Sequence, residues 1–433
     1  MHKAGLKSGV LMLLWVVFAG TGCEREPEAP QIVRTEVAVR HYFSLTGPFS
    51  KTMNGLAEDF NHSNVKYSLR PTPLEHESFK TIIRDDLQTG RTADVYSYWA
   101  GARVQSIVDK LAPIDDVLPL ADMDKRFGSA IVKSACTYNG RVYLLPLTQQ
   151  YVGFFYNKKV FADNGLKPPQ TWPEFLQLGK ALKARGVTPI ALGSKAKWPA
   201  QFWFDYLLLR TAPLEYRQKL MAGEASFTDP QVLRVFSLWR DLLKAGFFNA
   251  RPNTLEFDSD AATQVLRGEA AMTLMGTWLM GYFHSPELDW HEGADYGFFP
   301  FPEIDPQIPR VALGPIDGFV IPAAAKNPEG AKAVLAYFSS AVSQVTISRA
   351  AGSIAPNLSV EDRHYSPMQR EIRAEIGRSN AWAFNYDLAT PPARADIGLN
   401  LFSEFLESPD DYKRLLSNTQ ERMARISVVP QVR

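Results

Sequence analysis

Disulfide potential, surplus charge, long apolar runs and catalytic signatures are all scarce in this chain of 433 residues. It has 2 cysteines. Cys23 sits in an N-terminal context of its own, so Cys136 has no partner, and no disulfide supports the fold. Cys136 reads as an inert small apolar residue, and a chain of this length buries a large core without a covalent staple. Lys plus Arg number 47 against 46 for Asp plus Glu. That balance excludes a basic field for nucleic acid and an acidic one for cations, and it points to an uncharged partner. After the first 22 residues, no segment has the roughly 18 apolar residues that a membrane span needs. The phosphate loop, the dinucleotide fingerprint, the nucleophile elbow and the His-Glu-x-x-His metal motif are missing. The 7 His are scattered. Only His284 and His291 come close, and Pro286 between them argues against one helix carrying a metal pair. The acid doublets Asp85-Asp86, Asp115-Asp116 and Asp410-Asp411 point their side chains apart, so they make poor facing carboxylates for glycoside hydrolysis. Asp258 and Asp260 read better as a helix cap. No metal, no cofactor and no catalytic residue is expected.

The N-terminus is informative. Lys3 and Lys7 precede an apolar run from Gly9 to Ala19, then Gly20-Thr21-Gly22-Cys23. A basic start, a short apolar core and small residues before a cut form a secretory signal over residues 1–22. A cysteine after the cut resembles a bacterial lipoprotein signal, which implies acylation of Cys23. Ordinary cleavage nearby, leaving a soluble periplasmic protein, is the alternative. Residues 23–35, rich in Glu and Pro, read as a tether from lipid to body. The expected location is the cell envelope, facing the periplasm or the exterior.

Strand-like runs then alternate with helical ones: Glu36 to Phe43 before Phe49 to Phe60, Asp94 to Tyr98 before Arg103 to Lys110, and Gly318 to Ala323 before Pro328 to Ser339. Val187 to Leu192 and Ala270 to Met275 are further strand-like runs. Such alternation predicts an α/β protein with largely parallel sheets wrapped by helices. One helix is spelled out in full. Thr171 with Glu174 is a capping box, Trp172, Phe175, Leu176, Gly179 and Leu182 share a face, Lys183 and Arg185 occupy the last turn, and Gly186 ends it.

The wording of that helix, with Tyr156 to Leu166 before it, Gly268 to Trp278 and Gly314 to Gly330, resembles the extracellular solute-binding proteins of ATP-driven sugar importers, the family that includes maltose-binding protein. The resemblance implies two α/β lobes of the periplasmic-binding type, each discontinuous in sequence and joined by a hinge. Residues 36–147 plus 300–348 would form lobe one, and 148–299 plus 349–433 lobe two. Crossings would fall near Pro146 to Gln150 and Phe299 to Pro302. It also implies a monomer that hands its ligand to membrane permease subunits.

Aromatic residues make up 12% of the chain, with 9 Trp. Sugar rings stack their C–H faces on such planes and hold their hydroxyls with planar polar side chains. Trp99 stands at the C-terminal end of a strand, where open α/β sheets bind ligands. Trp278 follows a buried strand and a glycine turn, and the resemblance makes both Trp99 and Trp278 sugar-facing. Trp198 lies in a loop after a strand end. Asp317, before Gly318, resembles a crossing segment where a polar side chain touches the sugar. Glu75 follows the strand Lys66 to Arg70 as a hydroxyl acceptor, and Tyr42, Gln149, Tyr151 and Asp387 complete the candidate set at lobe edges. The expected function is carbohydrate binding, of an oligosaccharide, by cleft closure. A secreted glycosidase or lyase, and a binding protein for an oxoanion or polyamine, are the alternatives.

Overall fold

The computed structural model describes residues 34–43, 48–284, 288 and 290–426. The leader, Cys23 and the tether up to Val33 lie outside the described residues. Apart from a short antiparallel pair, Thr137–Tyr138 with Arg141–Val142, the strands among the described residues are β1 (Thr35–His41), β2 (Tyr67–Pro73), β3 (Val95–Trp99), β4 (Leu111–Ala112), β5 (Leu145–Gln149), β6 (Val152–Asn157), β7 (Thr188–Ile190), β8 (Ala270–Gly276), β9 (Tyr296–Phe299), β10 (Val311–Leu313), β11 (Ile316–Pro322) and β12 (Ala381–Ala383).

They build two main sheets. The first runs β2-β1-β3-β11-β4, with β5 also paired to β11; the second runs β9-β6-β8-β7. The expectation of largely parallel sheets is corrected. β1 is parallel to β2 and β3, but β11 is antiparallel to β3, β4 and β5. In the second sheet β8 is parallel to β7, and β6 runs antiparallel to β8 and β9. The cause is topological: β11 enters the first sheet from far along the chain instead of through a local crossover helix.

Each sheet has its own core. The first contains Val37, Val95, Leu147, Phe319 and Ile347; the second contains Tyr151, Phe154, Trp203, Leu313, Ile354 and Phe402. Phe299 and Phe301 both pack in the second core, and the chain passes from that core to the first between Leu313 and Ile316. β9 stops at Phe299 because Pro300 has no N–H to extend a ladder.

Helix α1 (Pro48–Ser63) and helix α2 (His76–Thr89) flank the first sheet, and helix α3 (Trp172–Ala184) belongs to the second. In α3 the Thr171 hydroxyl and the Glu174 carboxylate form the reciprocal cap. Trp172, Phe175, Leu178, Gly179 and Leu182 are buried, whereas Leu176 sits half-buried at the margin. A Cβ on Gly179 would lie 2.2 Å from the Phe247 ring, so a glycine lets that ring settle against the helix. The Asp258–Asp260 region forms a π-helical turn, in which Asp260 accepts from the Glu256 N–H at 2.8 Å.

Candidate functional site

The first wall of the site is assembled at the ends of three strands. Trp99 ends β3 and pairs in register with Asp317 of β11, while Tyr42 follows β1 directly. The Tyr42 ring stacks on the Trp99 indole with centroids 3.9 Å apart and planes 17° from parallel. Beneath them Asp317 accepts from Tyr42 Oη and from Thr148 Oγ1, both at 2.8 Å. Burial pushes the Asp317 carboxyl up to about 6, partly offset by those two donors. Burial and the neighbouring Asp317 raise the Tyr42 phenol, so it stays a donor.

Helix α2 brings His76 edge-on to the same pair, 5.3 Å from Trp99 and 5.6 Å from Tyr42. Desolvation lowers its pKa. Glu75 takes a different role from the hydroxyl acceptor expected of it. It is the N-cap of α2, and its carboxylate accepts from the N–H of Glu77 at 2.8 Å and from the N–H and hydroxyl of Ser78 at 2.7 Å.

The structure also revises the stacking platform expected of Trp99. Only 7% of this residue is exposed. Tyr42 covers one face, Phe79 and His76 crowd the rim, and the Lys80 ammonium and Arg103 guanidinium lie 5.9 and 5.5 Å from the ring centroid. The Lys80 charge is already matched by Glu77, at 2.8 and 2.9 Å.

The second wall keeps its indoles more open. Trp198 and Trp278 are both half-buried, with ring centroids 5.9 Å apart and planes 63° from parallel. Phe257 and Phe202 support Trp198 at 5.0 and 5.8 Å. The loop places Trp198 through Lys197, which adopts a left-handed φ of 66°. Trp278 folds back across its own chain: a Cβ on Gly276 would lie 1.9 Å from its ring, so only glycine leaves that space free. The walls meet where His76 and Trp198 approach to 6.1 Å.

The floor is polar. Arg103 Nη2 donates to Asp387 Oδ2 at 2.9 Å, Asn385 Nδ2 donates to Asp387 Oδ1 at 2.9 Å, and the Asp387 N–H donates to Gln201 Oε1 at 2.9 Å. This segment interleaves with both cores, since Ala383 and Tyr386 pack in the second and Leu388 in the first. At Gly101 a Cβ would stand 2.4 Å from the Leu388 carbonyl, so the first wall touches this floor at backbone distance.

A family model described as bacterial extracellular solute-binding protein matches residues 45–345. The chain belongs to that family. An ABC transporter extracellular-binding protein of Pyrococcus horikoshii is 28% identical over 387 residues, covering 87% of this chain and 84% of that one. A diacetylchitobiose-binding protein of Streptomyces coelicolor is 25% identical over 53% of this chain and 50% of its own. Among solved structures, a bacterial solute receptor with an exclusive preference for β-D-galactopyranose superposes with a TM-score of 0.82 at 27% identity, covering 90% of this chain and 99% of the other. A maltotriose-binding protein of Thermus thermophilus shares the two-lobed fold at a TM-score of 0.70 and 19% identity.

In this solute-binding protein the remaining candidates separate clearly. Tyr151 is corrected: it is 1% exposed, its ring packs 5.7 Å from Phe298 in the second core, and burial pushes its phenol up to about 12. Gln149 joins Ile354 through paired backbone hydrogen bonds of 2.8 and 2.9 Å. Cys136 is buried, and burial pushes its thiol up. A cavity of about 610 Å³ lies away from the aromatic walls, between β9, Arg310 and the helix Pro367–Arg378. His76, Arg103, Gln201 and Asn385 were not singled out from sequence. Arg103 had one signal, a cation just beyond the strand-ending Trp99-Ala100-Gly101.

Proposed function

We propose that this protein is the carbohydrate-capturing component of an ABC importer, holding an oligosaccharide between the two lobes and reporting its presence by closure. The observation that carries the reading is the half-buried Trp198–Trp278 pair, brought within 6.1 Å of His76, which in turn lies against Trp99. Half-buried indoles together with paired polar groups match a neutral polyol, with apolar ring faces and a hydroxyl rim. Relatives described as sugar-binding and the galactopyranose receptor support the same class. A ligand that contacts both walls stabilises the closed form by its differential affinity, and that form is what a permease recognises.

We place lobe one at residues 36–147 plus 316–348 and lobe two at 148–313 plus 349–426, following the cores. The chain acts as a monomer tethered through an acylated Cys23. A lipid-modified Cys23 in the mass of the mature protein supports the anchor; an unmodified N-terminus elsewhere rejects it. A closure device has no need to break bonds, so incubation with oligosaccharides releases no new reducing ends.

The deciding experiment is a titration of intrinsic fluorescence with D-galactose, xylotriose, diacetylchitobiose and maltotriose. Trp198→Ala and Trp278→Ala each weaken the sugar that binds by roughly ten- to a hundredfold, the equivalent of losing about 1.5–3 kcal/mol of aromatic burial. Unchanged affinity in both variants rejects the site.

A further inference from the structure

The floor of the crevice contains polar atoms without partners among the described residues. Among the described residues Arg103 Nε and Asn385 Oδ1 are both buried and make no hydrogen bond, although Arg103 Nη2 and Asn385 Nδ2 of the same side chains each donate to Asp387. Asn385 is 6% exposed, and the Arg103 side chain 13%. Trp382 Nε1, three residues before Asn385, is a further buried donor without a partner among the described residues. Buried polar groups are nearly always paired, and leaving one unpaired is costly, so an orphaned donor and acceptor held on one carboxylate need an explanation.

Their chemistry is specific. Arg103 Nε only donates, and Asn385 Oδ1 only accepts. A phosphate offers acceptors alone at its oxygens when fully ionised, and an ammonium offers donors alone. A hydroxyl does both. Asp387 fixes the tautomer-like choice, because its carboxylate accepts from Asn385 Nδ2 and so turns the amide oxygen outward from the pair. The same carboxylate neutralises Arg103, which removes the net positive charge that an anionic ligand would seek.

We propose that Arg103 and Asn385, locked by Asp387, are the specificity-determining residues of this crevice, and that they read hydroxyl groups on the ligand rim as donor and acceptor together. The site thereby selects neutral hydroxylated ligands over phosphorylated or amino ones. This deepens the carbohydrate reading and rests on it. Arg103 is placed for the task by packing over the Trp99 indole, which is itself stacked on Tyr42. The buried first-wall rings therefore serve as a rigid bed for a hydrogen-bonding side chain.

The test is calorimetric titration of the full mature chain with D-galactose, xylotriose, diacetylchitobiose, maltotriose, sn-glycerol 3-phosphate and galactosamine, on parent, Arg103→Lys and Asn385→Asp. Arg103→Lys keeps the charge against Asp387 and lacks Nε. It should retain its melting temperature to within a few degrees and lose roughly tenfold or more in affinity for the sugar that the parent binds. Asn385→Asp loses the donor to Asp387 and adds a like charge, and it should shift preference toward galactosamine. Sugar affinity within twofold of the parent in Arg103→Lys overturns the proposal, as does sn-glycerol 3-phosphate binding the parent with the neutral sugars inert. Failure here with Trp198→Ala and Trp278→Ala still losing the sugar refutes only the hydroxyl-reading pair; failure of the indole variants refutes the crevice itself.

Discussion

The two aromatic walls use the same residue type for opposite ends. On the first, Trp99 is sandwiched into its own lobe, its face given to Tyr42 and its rim to His76 and Phe79. On the second, Trp198 and Trp278 lean on phenylalanines yet stay half-buried. The difference lies in what stands behind each ring. Trp99 has a buried carboxylate, two hydroxyls and an adjoining strand fastening its surroundings, whereas Trp278 rests over a glycine backbone. One wall is therefore framework carrying polar tips, and the other is surface.

That contrast breaks most easily at Trp99. Trp99→Ala removes a large, nearly buried ring and should cost about 3–5 kcal/mol of stability, read by denaturant or thermal unfolding. Its loss of sugar affinity should be no greater than that of Trp278→Ala. Normal melting with abolished binding would make the first wall an open platform after all.

A smaller effect concerns Asp317, whose folded carboxyl sits at about 6. Between about pH 4 and pH 6 the folded protein keeps a proton that the unfolded chain has released, so this residue makes stability fall as pH rises through that window. His41 works in the opposite direction. Burial lowers it to about 4, so acidification from about pH 6.5 charges the unfolded chain first and removes stability. Asp317→Asn should leave the His41 slope unopposed. Its stability relative to the parent should improve by about 2 kcal/mol between pH 4 and pH 6.5, and a flat difference would show that the buried carboxyl is not strained.

The smallest effect sharpens the role of Glu75. Glu75→Ala deletes a helix cap and should cost about 0.5–2 kcal/mol without altering sugar titrations. A tenfold affinity loss at unchanged stability would return Glu75 to the ligand.

Local features were the most legible in the sequence. The capping box at Thr171 and Glu174, the strand ending in Trp99 and the glycine turn before Trp278 each depend on neighbours within a few residues, and each stands in the structure. Burial of Trp99 was hidden because its covering ring, Tyr42, comes from just beyond another strand, and the carboxylate beneath that ring comes from β11, 275 residues on. The antiparallel insertion of β11 was hidden for the same reason: periodicity marks a strand but says nothing of where it is inserted. Tyr151 carried the right residue type at a lobe edge, yet its strand neighbour Val152 begins a run that is buried on both faces. Asn385 and Gln201 had no local signature, since their importance arises only where distant segments converge on Asp387.

Cys136 has a practical consequence. Among the described residues it is the sole thiol, sealed from solvent and held in its protonated, unreactive form. Maleimide dyes placed on engineered surface cysteines, one per lobe, would thus report angular opening without background from the native body, turning the molecule into its own ruler for ligand capture.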